Sequence, residues 1–251
     1  MRKRFLSFPL VFLVLLMSSL AWGSTQMDQI MQREKIIIAI PDFDYYPFSF
    51  EEDGEFKGFD IDLGKRIANE LGVKVQFIRA SWDGLIALSW YSDYPWTKFD
   101  IAIASITVKE TRAQVCNFSE WYFYTGERLL VRKEDNYSHI LDLTGQKIGV
   151  VAGSTSYDTA KKELAAHTIS YPTPDKAVLA LLNREVDAVL TDGVIVLNAI
   201  KENNMLTLLG DMLTTEKYAI ALPQGAQDLK IVLDKVVVEN RKELYEKWFK
   251  N

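Results

Sequence analysis

Short apolar segments alternate with amphipathic segments along most of this chain, and that alternation restricts the fold to α/β layers. The first run predicts strands at 35–40, 73–78 and 99–104, with helices at 59–71 and 83–88 between them. The helix at 59–71 repeats its apolar residues every four positions, as a helix with one buried face does. This strand–helix–strand–helix–strand order predicts a mostly parallel sheet.

A second, smaller run follows the same plan. It predicts strands at 127–131, 147–151 and 186–190, and helices at about 155–164 and at 176–183. Two such runs make an α/β fold with two lobes, each long enough to bury a core.

The end of the sequence returns to the first run. A strand is predicted at 218–222, and the final helix, which ends near Phe249, is expected to pack beside it. The sequence therefore predicts lobe 1 at 27–125 plus 217–251 and lobe 2 at 126–216. Two crossings between lobes make a hinge over a cleft, an arrangement suited to capturing a ligand.

Residues 1–23 have the pattern of a secretory signal peptide. Three cations at positions 2–4 precede an apolar run that ends in small residues around Gly23. A membrane anchor is the alternative, but the apolar core is short for a bilayer span. We therefore expect export with cleavage after Gly23, and no lipid anchor, because no cysteine directly follows the run.

Charge and cysteine content exclude several classes of protein. The formal net charge is −5, and removal of the three N-terminal cations makes it −8, which argues against nucleic acid or an anionic membrane surface as a partner. Cys116 is the single cysteine, so no internal disulfide is expected. The two histidines, His139 and His167, are far apart in sequence, and we expect neither a metal site nor a cofactor.

Nine short stretches, in this order and spacing, resemble the periplasmic polar-amino-acid-binding proteins of ABC importers. That group is the bacterial extracellular solute-binding protein family 3, with its glutamine, histidine and lysine/arginine/ornithine binders. The stretches are DFDYYPFSF at 42–50, GFDIDL at 58–63, SWDGLI at 81–86, FDIA at 99–102, SITVKETR at 105–112, FS at 118–119, GVVAGST at 149–155, VDAVLTD at 186–192 and YEKWF at 245–249.

The resemblance covers nearly everything from Lys35 onward and has clear implications. It implies the periplasmic-binding-protein type II fold, in which two α/β lobes are joined by two hinge strands. It also implies a periplasmic, monomeric protein that captures a free L-amino acid such as glutamine, arginine or lysine. The partner it implies is the permease of an ABC transporter.

Three polar residues of the first lobe follow the strand predicted at 99–104. An arginine fork such as that of Arg112 grips a carboxylate through two hydrogen bonds, although a lone arginine is more often an exposed loop residue. The resemblance places Arg112 on the arginine that binds the ligand's α-carboxylate. Ser105 and Thr107 lie where open α/β sheets bind ligands, and ordinary capping of the strand end is the equal alternative.

Three further residues of the first lobe match positions that reach the ligand's side chain. The resemblance places Tyr45 and Trp82 on the two aromatic residues that sandwich it, whereas core packing is the ordinary fate of an aromatic residue. It places Asp42 on an acid that contacts the side chain in glutamine and lysine/arginine binders. A turn aspartate is an equally good reading of Asp42.

The second lobe contributes two candidates. Asp192 follows an apolar strand, and the resemblance implies that this acid binds the ligand's α-ammonium. A turn residue before Gly193 is the alternative. Thr155 lies in a segment that precedes a helix, where free N–H groups and the helix dipole suit an anion. An ordinary N-cap is the alternative there.

An enzyme is the main competing function, because cyclohexadienyl dehydratases share the fold that the resemblance implies. Those enzymes carry a catalytic glutamate three residues after the position of Asp192, and here that residue is Ile195. We therefore expect no catalysis. A receptor's sensor domain is a third class, and the end of the sequence soon after Trp248-Phe249 argues against it.

Two departures from the family pattern qualify the prediction. An aromatic insertion at 89–96 lengthens the link before the third strand. Ala104 stands where lysine/arginine binders often carry a serine that contacts the side chain, which weakens a strict lysine assignment.

Overall fold

The computed structural model of the protein describes residues 25–86, 96–164 and 167–250. The predicted signal peptide and residues 89–95 of the aromatic insertion lie outside the described residues. Within them the chain forms two five-stranded sheets and a two-stranded hairpin, with helices packed around the sheets.

The elements of the first lobe come first in the chain. They are α1 (Gln26–Arg33), β1 (Lys35–Pro41), β2 (Phe50–Glu52), β3 (Glu55–Lys57), α2 (Phe59–Leu71), β4 (Lys74–Ala80), α3 (Trp82–Ile86), β5 (Ile101–Ala102), α4 (Glu110–Ala113) and β6 (Asn117–Thr125).

The second lobe follows, and the chain then returns. Its elements are β7 (Glu127–Arg132), β8 (Lys147–Val151), α5 (Thr155–Glu163), β9 (His167–Tyr171), α6 (Pro174–Leu182), β10 (Ala188–Asp192), α7 (Gly193–Glu202) and β11 (Leu206–Leu209). The returning elements are β12 (Glu216–Leu222) and α8 (Gln227–Phe249).

The first sheet has the strand order β4-β1-β5-β12-β6. Strand β1 pairs in parallel with β4 and β5, whereas β12 runs antiparallel to both β5 and β6. The three strands of the predicted strand–helix run, β1, β4 and β5, are therefore parallel to one another as expected, and the whole sheet is mixed because β12 returns in the opposite direction. The sequence also left the aromatic segment of β6 without a strand assignment.

The second sheet has the order β11-β7-β10-β8-β9 and is also mixed. Strands β8, β9 and β10 are parallel to one another, while β7 is antiparallel to β10 and β11. The chain crosses between the sheets twice, at Gly126 and over residues 210–215. The lobe boundaries at 125/126 and 216/217 stay a prediction.

An aromatic cluster forms the centre of the first lobe. The ring of Phe48 lies 4.8 Å from that of Phe123 and 5.6 Å from that of Tyr218. Phe249, at the end of α8, lies 4.7 Å from Phe123, so the last helix packs on the first lobe as expected. Aromatic contacts of this kind add about 1 kcal/mol each beyond the burial of apolar area.

Among the helices of the described residues, none has the length and apolar character needed to cross a membrane. Within the same residues, histidine, cysteine and acidic side chains form no group of three or more arranged to hold a metal ion.

Candidate functional site

A cavity lies between the lobes at the carboxyl ends of several strands. The first lobe lines it with Pro41, Phe43, Tyr45, Trp82, Ala104 and Ser105. The second lobe lines it with Val151, Ser154, Ser156, Pro174, Thr191 and Asp192. Pro41, Val151 and Asp192 are the last residues of β1, β8 and β10, so the cavity sits where open α/β sheets place ligands.

Ser105 has a strained backbone conformation of the kind that often occurs at functional sites. Its φ is +52°, a left-handed geometry that costs free energy for a residue with a Cβ. The backbone N–H donates to the hydroxyl of Tyr122 at 2.9 Å, which holds the residue in place. The Ser105 hydroxyl lines the cavity and is buried without a hydrogen-bond partner among the described residues. It is therefore a polar group available to a ligand.

Asp60, the first of the two acids in the GFDIDL stretch, is buried near Ser105 and Tyr122. Burial raises the pKa of this carboxyl to about 7, while the nearby Tyr122 hydroxyl and Ser105 N–H lower it. Asp60 supports the strained turn from below and does not line the cavity.

Arg112 lies on the short helix α4, and its side chain is only 8% exposed. Nη1 donates to the carbonyl oxygen of Thr107 at 2.9 Å, which fixes the guanidinium. Burial lowers the pKa of Arg112, and the negative charges of Glu216 and Asp192 raise it. Within the described residues no carboxylate forms a salt bridge with Arg112, so its remaining donors suit a carboxylate from a ligand.

Thr107 is buried beside Arg112, which it contacts through its carbonyl oxygen. Its hydroxyl donates to Oε2 of Glu216 at 2.7 Å, and both residues are buried. Thr107 therefore links the arginine to a second acid, Glu216, which the sequence did not single out.

Asp192, on the second lobe, lies near enough to Arg112 for their charges to interact. Tyr45 donates its hydroxyl to the Asp192 carboxylate across the cleft. The pKa of Asp192 is raised to about 6, mainly by burial and next by the charge of Glu216, while the Tyr45 and Tyr218 hydroxyls and the charge of Arg112 act in the opposite direction. Above that pH the side chain is an anion, so it can hold a cation such as an ammonium group.

The two predicted aromatic residues both line the cavity. The Tyr45 ring stacks on that of Phe48 with 5.6 Å between the ring centres, and it belongs to the core of the first lobe. Tyr45 therefore packs in the core and also lines the cavity. The Trp82 indole donates Nε1–H to the carbonyl oxygen of Ala152 at 3.1 Å, across the cleft. Both residues therefore connect the lobes as well as shaping the cavity.

The structure does not bring Asp42 into the cavity. Its side chain is exposed, while Pro41, Phe43 and Tyr45 line the wall at every second position. The neighbouring Asp44 also points away, with a salt bridge of 2.7 Å to Arg79. This alternation of buried and exposed residues was readable from the sequence and would have identified Phe43.

Thr155 is not a lining residue either, and Arg112 and Thr107 lie behind the wall that the lining residues form. Thr155 is the first residue of α5, and Ser154 is the N-cap, whose hydroxyl accepts from the N–H of Tyr157 at 3.2 Å. Ser154 and Ser156, on either side of Thr155, line the cavity instead.

Glu127 is a second acid that the sequence did not single out. It begins β7 at one crossing between the lobes, is 0% exposed, and neither carboxylate oxygen has a hydrogen-bond partner among the described residues. Burial raises its pKa to about 7, and the hydroxyls of Thr159, Thr155 and Ser156 around it lower the pKa. Glu216 begins β12 at the other crossing, so each crossing carries a buried acid.

The raised pKa of Glu127 makes stability depend on pH. The ordinary value is 4.5, so between about pH 4.5 and 7 the folded protein keeps a proton that the unfolded chain releases. Stability is therefore expected to fall as the pH rises through this interval. The variant Glu127→Gln, which cannot ionise, should melt at a higher temperature than the wild type at pH 8 and at nearly the same temperature at pH 4.5.

Thermal melts at both pH values measure this difference, with Glu202→Gln as the control at an exposed position. An equal shift at the two pH values would contradict the assigned proton.

Comparison with known proteins shows what this chain is similar to. The family model described as "Bacterial extracellular solute-binding proteins, family 3" matches residues 36–251. The L-cystine-binding protein TcyJ of Escherichia coli is 26% identical over 233 residues, which are 89% of this chain and 85% of that protein. The ABC transporter glutamine-binding protein GlnH of Bacillus subtilis is 30% identical over 232 residues, or 88% of this chain and 83% of that protein.

Solved structures extend the similarity to three dimensions. Holo ArgBP from T. maritima has a TM-score of 0.77 and 30% identity, covering 88% of this chain and 99% of that one. The ancestral amino acid-binding protein AncCDT-1, a precursor of cyclohexadienyl dehydratase, has a TM-score of 0.80 and 31% identity, covering 90% and 100%. The protein therefore shares their fold over nearly its whole length.

Proposed function

Since the chain belongs to the bacterial extracellular solute-binding proteins, family 3, we propose that its cleft captures a free L-amino acid with a polar or basic side chain and delivers it to the permease of an ABC importer. The resemblance and the fold class, periplasmic-binding-protein type II, are both confirmed. One observation carries the proposal: the Asp192 carboxylate of the second lobe lines the cavity, and the buried guanidinium of Arg112 in the first lobe lies near enough for the two charges to interact.

A free amino acid complements this pair because it is a zwitterion. The guanidinium of Arg112 offers a fork of donors to the α-carboxylate. The Ser105 hydroxyl, which lines the cavity, can donate a further hydrogen bond. The Asp192 carboxylate offers a counter-charge to the α-ammonium. Neither lobe holds both halves of this site, so a ligand that contacts both favours the closed arrangement.

Contacts between the lobes show how the closed arrangement is held. Lys109 of the first lobe lies 2.5 Å from Asp158 of α5, and the amide of Asn198 on α7 donates to the carbonyl oxygen of Tyr46 at 2.9 Å. These polar contacts at the rim are individually weak, so they bias closure without fixing it. Ligand binding then decides the population of the closed form.

Family members are substrate-binding proteins that work outside the cytoplasm, and the curated relatives serve importers of amino acids. The periplasmic location, the predicted signal peptide and a monomeric state fit this role. Delivery means that the closed protein docks on the permease, a separate polypeptide, and opens there.

A dehydratase is the second candidate, favoured by the similarity to AncCDT-1. Against it, Ile195 is partly buried against the core of the first lobe, and Asp192 is the one acid that lines the cavity within the described residues. A general acid–base reaction needs a proton-transfer group beside the reacting atoms. We therefore propose binding without catalysis, and an assay for product from prephenate or arogenate tests it; turnover would overthrow the proposal.

The variant Asp192→Asn tests the proposed site directly. Amino-acid affinity, measured by titration calorimetry at pH 7.5, is expected to fall about tenfold or more because the ammonium loses its counter-charge. Wild-type affinity should also fall as the pH drops below about 6, the pKa of this carboxyl. The asparagine variant should lack that pH dependence.

Asp211→Asn is the matched control, since Asp211 is exposed and lies outside the cleft. Wild-type affinity in Asp192→Asn, with the pH dependence retained, would refute the assignment of the ammonium.

A further inference from the structure

The cavity wall carries a single charged side chain among the residues that the structure describes, and that side chain is Asp192. Six of the other lining residues are apolar and five carry hydroxyl groups. From this wall we propose that the cavity selects an amino acid with a neutral polar side chain and discriminates against arginine, lysine and ornithine. The proposal rests on the proposed function, because it concerns the side chain of the amino acid held there.

Asp192 is already committed to other groups. It accepts the Tyr45 hydroxyl, it interacts with the charge of Arg112, and in the proposed function it holds the α-ammonium. The nearby Glu216 carboxylate accepts the Thr107 hydroxyl, raises the pKa of Arg112 and does not line the cavity. Among the residues that the structure describes, no further acid lines the cavity to meet a second cation at the end of a ligand's side chain.

The acids that precede Tyr45 lie on the other side of the wall. Asp42 is exposed and does not line the cavity, and Asp44 forms a salt bridge of 2.7 Å with Arg79. Arg79 also donates to the carbonyl oxygen of Pro41, a lining residue, at 3.3 Å. Arg79 thus neutralises the acid nearest to this part of the wall, so Asp44 offers little attraction to a cationic ligand side chain.

The remaining wall suits an uncharged polar group. Phe43, Trp82 and Ala104 present apolar surface to the stem of a side chain. The Ser105 hydroxyl is buried and accepts or donates no hydrogen bond within the described part of the chain, so it can bind an amide or another neutral polar group. Burying a cation without a partner costs much more free energy than burying an amide that forms hydrogen bonds.

Pairs of ligands with one shape and different charge test the proposal on the wild-type protein. L-Citrulline and L-arginine have the same length, but citrulline carries a neutral urea group in place of the guanidinium. We expect citrulline to bind at least about tenfold more tightly than arginine in titration calorimetry, a difference of about 1.4 kcal/mol or more. Glutamine should likewise bind more tightly than lysine or ornithine. Tighter binding of arginine than of citrulline would overturn the inference.

An added acid should reverse the preference. Phe43 is half-buried in the cavity wall, so the variant Phe43→Glu places a carboxylate there without burying it fully. Compared with the neutral control Phe43→Gln, it should raise the ratio of arginine affinity to citrulline affinity at least about tenfold. Circular dichroism checks that both variants fold. An unchanged ratio in folded Phe43→Glu would count against charge as the basis of selection.

The outcomes separate this inference from the proposed function. If arginine binds more tightly than citrulline and the variant Arg112→Ala abolishes its binding, the proposed function stands and the inference fails. If no amino acid binds the wild type, both fail. Neutral ligands that bind in an Arg112-dependent manner, with weak binding of the cationic ones, support both.

Discussion

The variant Arg112→Ala is expected to lower amino-acid affinity by at least about 100-fold, because removing one partner of a buried charge pair leaves the other without its hydrogen bonds. The guanidinium is 8% exposed and held by the Thr107 carbonyl, so its geometry is fixed before a ligand arrives. The α-carboxylate would enter the same buried place with no cation to meet it. Titration calorimetry with the tightest amino acid of a thermal-shift screen measures the loss.

Two further variants make this result specific. Arg112→Lys keeps the charge and loses the fork, so an intermediate affinity is expected. Arg66→Ala removes an arginine that pairs with Glu243 at 2.5 Å on the outer surface, and it should bind as the wild type does. If Arg112→Ala binds with unchanged affinity, this arginine does not hold the ligand's carboxylate.

The variant Gly58→Ala is expected to lower the free energy of unfolding by about 3 kcal/mol or more. Gly58 has a φ of +126°, and a Cβ there would lie 2.1 Å from the carbonyl oxygen of Phe48. Two hydrogen bonds dock the start of α2 on the same loop, from Phe59 N–H to Pro47 at 2.9 Å and from Asp60 N–H to Phe48 at 2.8 Å. The added methyl group would push this loop, and with it Tyr45, out of position.

Gly54→Ala is the matched control for this effect. Gly54 also has a positive φ, +76°, but a Cβ there would meet nothing within 4 Å. Its cost is therefore limited to the backbone conformation, about 1 kcal/mol. In thermal melts the melting temperature of the Gly58→Ala variant should fall by roughly 10 °C, several degrees more than that of the Gly54→Ala variant. Equal shifts would show that the close approach to Phe48 does not matter.

Several elements were predicted from the sequence because their signals are local. The helix at 59–71 was predicted with the bounds that α2 has, since its apolar residues repeat every four positions. The strand at 147–151 matches β8, because a short apolar run is bounded by polar residues. The strand at 99–104 was overestimated: β5 covers only Ile101–Ala102, since its partners pair with it over just these residues.

The residues around the cavity also divide into those that the sequence singled out and those that it missed. Tyr45, Trp82, Ser105 and Asp192 all line the cavity, because each follows or begins an element whose position the strand order sets, and their contact with a ligand stays a prediction. Asp42 lies outside the cavity wall, because the apolar residues of the alternating segment 41–45 face the cavity and the acids between them are exposed. Glu127 and Glu216 were missed for a different reason, because they become neighbours only where the two crossings of the chain meet.

The sequence by itself determined the alternation of strands and helices, the two returning crossings and the family. Those features depend on periodicity and on the order of motifs, and both are properties of neighbours along the chain. Only the tertiary structure decided that Asp192 lines the cavity while Arg112 lies buried behind the lining residues, that the acids beside Tyr45 lie outside the wall, and that Asp192 is the one charged side chain among the described residues that line it. Those facts depend on which side chains pack together from distant segments, and on the burial that results.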